Sequence, residues 1–189
     1  MGQLNAGVVP VTPFQQNCTI LFDTDDKTGV VVDPGGDVDQ ILAALSDNGI
    51  KASAIWLTHG HIDHAGGAME LKEALGVEII GPHEADKPLL DNIENQAKRF
   101  GVGDAVRNCV PDRFLNEGDT VSFGEHVFEV QARNEGEPWP ETSAQLHILR
   151  RAPWYQRPWV WLLSTLLALI LLLDANWQRP STGRAAKRP

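Results

Sequence analysis

The segment Thr58 to Gly67, THGHIDHAGG, constrains this chain more than any other feature, because it sets three His and one Asp within six positions directly after an apolar run. Ala52 to Thr58 reads as a buried strand, so the His-rich segment leaves a strand end as a loop. Zinc takes nitrogen and oxygen donors at roughly 2.0–2.2 Å. His59 and His61, separated by Gly60, can turn both imidazoles onto one ion, and Gly60 removes a Cβ that would crowd the turn. Asp63 and His64 fall where the next helix begins and can serve a second ion from the other side of the loop. Two ions about 3.5–4 Å apart can share a hydroxide and polarise the bond under attack, with a carboxylate such as Asp63 orienting it. So many titratable groups placed together are unfavourable without a metal. A lone His is more often structural, and that is the expectation for His83, His126 and His147.

Around this loop the pattern alternates. Asn17 to Phe22 and Gly29 to Asp33 are β-rich runs joined by the polar turn Asp23 to Lys27, which predicts a hairpin. Asp37 is a candidate N-cap for a helix that carries Ile41, Leu42 and Leu45 on one face and ends at Asn48-Gly49. A second helix is expected from Ala65, with Met69, Leu71 and Leu75 inward and a stop at Gly76. Val77 to Ile80 follows as a strand, then a helical stretch over 84–100 with a kink or restart at Pro88. Val110 to Val130 returns to a β pattern, with Asn116 to Asp119 as a turn before Thr120 to Phe123 and His126 to Val130. Strands alternating with helices and then a β-rich stretch indicate a layered α/β fold.

Composition matters here because it changes along the chain. The 189 residues carry a formal charge of -9. Residues 1–130 hold 8 Lys and Arg against 21 Asp and Glu, whereas 131–189 hold 8 against 4, so a net of -13 meets a net of +4. Only one of the six Trp, Trp56, lies before the change. The acidic front half argues against nucleic acid as a partner. Cys18 and Cys109 form no C-x-x-C and read as two reduced, buried thiols of a cytosolic protein. Met1 to Asn5 show neither the basic residues nor the apolar run of a signal peptide, which sets the expectation of a cytoplasmic location. Nothing in the residues bears on oligomeric state.

THGHIDHAGG resembles the signature of the metallo-β-lactamase superfamily. Asn17-Cys18 on an early strand, Val32-Asp33-Pro34-Gly35-Gly36 ending the next, and Asn116-Glu117-Gly118-Asp119 before a late one sit where that family has companions to it. Together they look like the glyoxalase II-like (hydroxyacylglutathione hydrolase-like) branch, particularly its small bacterial members, over about residues 3–130. The resemblance implies an αββα sandwich and hydrolysis of a small-molecule thioester, such as an S-acylglutathione, by a zinc-bound hydroxide. It implies His59 and His61 as ligands of the first of two zinc ions, and Asp63 and His64 as ligands of the second, with Asp63 also catalytic. Asp33 would support the ligand loop from behind; a plain turn residue before Pro34 is an equal account of it. A relative that uses a single iron for sulfur oxidation shares the H-x-H-x-D-H loop, so iron is the alternative metal.

After Val130 the likeness stops. The family continues with a segment of the type H-x-P-G-H-T-x-G, which supplies a third His to the first metal, then a bridging Asp and a last His. Here QARNEGEPWPETSAQLHILRR follows, with no Pro-Gly-His and no His before His147. Neither His147 nor Asp174 has the expected flanking turn, and neither takes a ligand role. On this reading the sandwich lacks its second half, and residues 131–189 form an atypical tail. Trp159 to Leu173 is an uncharged apolar run of fifteen residues, with Trp on both sides and a basic end at Arg184, Lys187 and Arg188. As a helix it would span about 22 Å, against roughly 30 Å of hydrocarbon. Three readings stand: an altered reading frame joined near Val130, a membrane-associated helix at 159–173, or a helix laid against the domain or a partner chain. With them stands the alternative of a truncated metal-binding or membrane-associated chain without turnover.

Overall fold

A computed structural model describes residues 2–102 and 106–130. The tail 131–189, its apolar segment, His147 and Asp174 lie outside the described residues. Five strands form one sheet: β1 (Leu4–Val11), β2 (Gln16–Asp23), β3 (Thr28–Val32), β4 (Lys51–Trp56) and β5 (Glu78–Ile80), side by side in that order. The predicted hairpin is β2–β3, antiparallel with Thr19 opposite Val32. β3, β4 and β5 run parallel, so each connection between them must cross over. α1 (Val38–Asp47) makes the first crossover; α2 (Ile62–Ala65) and α3 (Ala68–Leu75) make the second. A separate two-stranded antiparallel sheet, β6 (Thr120–Phe123) and β7 (His126–Glu129), follows the turn at 116–119.

The central strands become continuously apolar where both faces are covered, at Val30 to Val32 of β3 and Ala54 to Trp56 of β4. Val31 and Ile55 face the helical side with Ile41, Leu45, Ala65, Leu71, Leu90 and Ile93, whereas Val30, Ala54 and Trp56 face the β6–β7 side with Val121, Phe123 and Phe128. Helices, the five-stranded sheet and the β6–β7 sheet are therefore three successive layers of a metallo-β-lactamase-like α/β sandwich. Trp56 fixes the second layer contact, with ring centroids 5.3 Å from Phe128 and 6.0 Å from Phe123.

Three local expectations are corrected or refined, and β1 adds a strand that the sequence pattern does not announce. β1 carries Gly7 and Pro10 and shows no strand-like alternation, yet it pairs along its whole length with β2; an edge strand tolerates Pro because one side donates no ladder bond. Asp37 does sit at the N-cap of α1, but its carboxylate accepts from the Thr12 N–H at 2.7 Å instead of capping the helix. The stretch 84–100 is a 3-10 turn (Glu84–Asp86) followed by α4 (Lys87–Leu90) and α5 (Ile93–Phe100). The helix restarts at Pro88 as expected, with that residue in the first turn of α4, where a missing N–H costs nothing, and a second break falls at Asp91-Asn92. The stretch 110–115 forms no strand beyond a single bridge between Arg113 and Ile80.

Candidate metal centre

The parallel strands β3 and β4 end side by side, and the chemistry-bearing residues are grouped where they end. Asp33 follows β3 directly, and its N–H donates to the Trp56 carbonyl at 2.9 Å, which extends the ladder by one step. It then turns with φ 54°, a left-handed conformation that costs a non-glycine residue about 1–2 kcal/mol. That turn delivers a carboxylate that is 6% exposed to the loop leaving β4. Asp33 accepts from the Thr58 N–H at 2.8 Å and from the Thr58 hydroxyl at 2.6 Å, and it meets His64 Nδ1 at 3.0 Å. Asp33 is thus more than a turn residue. It ties both strand ends to one imidazole.

The predicted ligands come together. The His59 ring lies 4.0 Å from that of His64 and 4.8 Å from that of His61, centroid to centroid. His64 Nε2 is 3.5 Å from Asp63 Oδ2. Asp33 behind His64 Nδ1, and the Thr58 hydroxyl 3.0 Å from His59 Nδ1, each engage one ring nitrogen and leave Nε2 for a ligand. Gly35 allows the two loops to touch, since a Cβ there would fall 1.7 Å from the Asp63 carbonyl oxygen. α2 begins at Ile62, earlier than the sequence pattern indicates, so Asp63 and His64 lie within its single turn.

Electrostatics separate the imidazoles. Burial and the neighbouring His64 and His61 hold His59 below its ordinary value, against the pull of Asp33 and Asp63. Burial also acts to lower His64, but the hydrogen bond to Asp33 and the charges of Asp33 and Asp63 outweigh it and raise it. Three imidazoles and a carboxylate are the donor types that zinc and iron take. The residues therefore fit a metal in the kind of donor they offer. Among the described residues, no group of three or more His, Cys, Asp or Glu is arranged to hold a metal ion.

Other expectations resolve simply. His83 caps the 3-10 turn by accepting from the Ala85 N–H at 3.1 Å, and His126 is buried against Asp23, so both are structural. Cys18 and Cys109 are free and buried. Burial, reinforced by Asp33, pushes the Cys18 thiol up to about 12, which disqualifies it as a nucleophile. Two glutamines escape the sequence reading. Gln16 reaches His64 Nδ1 at 3.5 Å, and Gln96 bonds to the backbone of the ligand loop. Nothing in their local sequence marks either one. Among the described residues no helix is long and apolar enough to cross a membrane.

A family model described as the metallo-beta-lactamase superfamily matches residues 11–134. The hydroxyacylglutathione hydrolase GloC of Haemophilus influenzae is 39% identical over 128 residues, covering 67% of this chain and 59% of that protein. A hydroxyacylglutathione hydrolase of Bdellovibrio bacteriovorus is 29% identical over 160 residues, covering 82% of this chain and 51% of that one. The crystal structure of the BLEG-1 B3 metallo-beta-lactamase superposes with a TM-score of 0.58 at 28% identity, covering 66% of this chain and 59% of that one. A protein solved in a di-iron-bound form gives 0.55 at 29% identity, covering 65% and 59%. The chain thus spans between half and three-fifths of these relatives' length.

Proposed function

Because this chain belongs to the metallo-beta-lactamase superfamily, we propose that it carries the first half of a metal-dependent hydrolase centre of the glyoxalase II type, acting on a thioester such as an S-acylglutathione. The observation that carries the reading is the grouping of His59, His61, Asp63 and His64 in front of Asp33 at the ends of two parallel strands. The names of the Haemophilus and Bdellovibrio relatives support the substrate class.

In this proposal His59 and His61 hold one zinc ion, and Asp63 and His64 hold a second; iron is the alternative metal. When bound, such ions supply Lewis acidity and lower the pKa of water. The chain's own residues do the positioning. Asp33 fixes the His64 ring through Nδ1, and Thr58 fixes the His59 ring, which would leave Nε2 of each imidazole for an ion. Asp63, whose Oδ2 lies half-buried beside His64 Nε2, would accept the proton of the attacking water. Water adds to the thioester carbonyl carbon, the C–S bond breaks, and a carboxylic acid and a thiol leave.

The test is hydrolysis of S-lactoylglutathione by the full chain, followed by loss of thioester absorbance. A steady rate that falls at least 100-fold in His59→Ala and is abolished by a chelator supports the proposal. No rate above the uncatalysed background in zinc-loaded protein overturns it. One observation favours a second reading, a metal-binding chain without turnover: no Pro-Gly-His follows Val130. Zinc binding without hydrolysis would establish that reading. Sequencing codons 120–189 and finding Pro-Gly-His-Thr in another frame would explain it.

A further inference from the structure

The ligand loop has a weakness that its own residues do not repair. α2 is one turn of four residues, too short to hold itself, and its N-cap residue His61 offers no side-chain acceptor. The first N–H of that turn belongs to Ile62, which is 3% exposed and so cannot turn to water. His61 itself is exposed, and its ring touches only His59 among the ring contacts of the described residues.

The missing partner comes from α5. Gln96 Oε1 accepts from the Ile62 N–H at 3.0 Å, while its Nε2 donates to the Leu89 carbonyl at 3.0 Å and reaches the Gly60 carbonyl at 3.5 Å. One amide therefore grips the chain immediately before and immediately after His61, and ties both points to the end of α4. Gly60 is the close approach that permits this. A Cβ there would sit 2.8 Å from Leu89 Cβ and 3.0 Å from the Asp86 carbonyl oxygen. The neutral amide supplies the donor and the acceptor from two separate atoms of one group; a carboxylate keeps the acceptor alone, and an aliphatic side chain keeps neither.

We propose that Gln96 is a positioning residue for the metal centre, fixing the backbone on both sides of His61 so that this ligand is held ready for the ion. The proposal rests on the metal-centre reading above, and it deepens that reading by naming a residue thirty-two positions beyond His64 that sets ligand geometry.

The experiment uses the full chain and two readouts: zinc affinity by competition with a chromophoric chelator, and hydrogen exchange of the Ile62 amide in metal-free protein. Gln96→Leu is expected to weaken zinc binding about tenfold, within the range seen when a group behind a ligand is removed, and to accelerate Ile62 exchange by at least tenfold. Gln96→Glu is expected to preserve Ile62 protection and restore part of the affinity. Ile93→Val, in the core of the same helix, controls for general destabilisation and should leave both readouts within twofold of the wild type. Zinc affinity unchanged in Gln96→Leu, or a loss shared equally by Ile93→Val, overturns the positioning role while leaving the centre standing. A wild-type chain that does not take up zinc overturns the parent reading, and the role falls with it even if Ile62 is protected.

Discussion

Two His–Asp pairs lie at opposite ends of the same sheet, built from the same groups at nearly the same distance. At one end His64 Nδ1 meets Asp33 at 3.0 Å; at the other His126 Nε2 meets Asp23 at 2.8 Å. Asp33 lies just past the end of β3, and Asp23 is the last residue of its antiparallel neighbour β2. The pairs differ in what stands on the far side of the ring. The second nitrogen of His64 faces Asp63, and the ring of His59 is 4.0 Å away. The second nitrogen of His126 is buried and has no hydrogen-bond partner among the described residues. The Phe123 ring lies tilted 5.2 Å from the His126 ring within the β6–β7 layer, and the bond from that imidazole to Asp23 works as a peg fastening the layer to β2. An Asp–His bond alone therefore says nothing about catalysis. Its meaning lies in whether the free nitrogen opens onto other ligands or onto a core.

The comparison breaks if the two histidines respond alike to removal. His64→Ala is expected to lower zinc affinity at least 100-fold by chelator competition, with little change in the denaturant midpoint of the metal-free chain. His126→Ala should do the reverse. It strands the buried Asp23 contact and opens a hole beside Phe123, costing about 2 kcal/mol in urea unfolding while zinc affinity stays within twofold. A smaller effect separates the two carboxylates. Asp33→Asn keeps the shape but weakens the grip on Thr58 and His64, and should reduce zinc affinity about 10- to 100-fold. Equal zinc losses in Asp33→Asn and Asp23→Asn would show that the site depends on fold integrity and not on Asp33 in particular.

Much of this was legible beforehand for a physical reason. The ligands are consecutive residues on one loop, so local spacing alone brings His59, His61, Asp63 and His64 together. The central strands and α1 were legible because burial on one or two faces leaves a periodic apolar trace, as at Ile41 and Leu45. β1 was not, because an edge strand needs no such trace and Pro10 and Gly7 read as breakers. Gln96 was not, because its contact with Ile62 spans thirty-four residues and depends on how α5 docks. Asp37 misled in detail: its N-cap position was right, but the Thr12 N–H from a distant turn captured its carboxylate. The limit falls where a side chain's partner is set by tertiary docking.

The smallest predicted effect concerns pH. Burial of Asp23 acts to raise its carboxyl pKa, but hydrogen bonds from the Asp25 and Asp26 N–H groups and from His126 outweigh it and hold it below the ordinary 3.8. A carboxyl depressed in the folded state contributes stability above its unfolded pKa and loses it as pH falls through the lower folded value. The Asp23–His126 peg should therefore weaken only below about pH 4. Asp112 adds an acid limb of the same sign, since its salt bridge to Lys72 at 2.6 Å holds it low as well. Asp23→Asn should flatten the fall in urea midpoint between about pH 4 and pH 2 without changing its slope near neutrality. An unchanged acid slope would mean that the carboxylate is no more stabilised in the fold than in the unfolded chain. The His126–Asp23 hydrogen bond would then fasten the β6–β7 layer to β2 without favouring the ionised carboxyl.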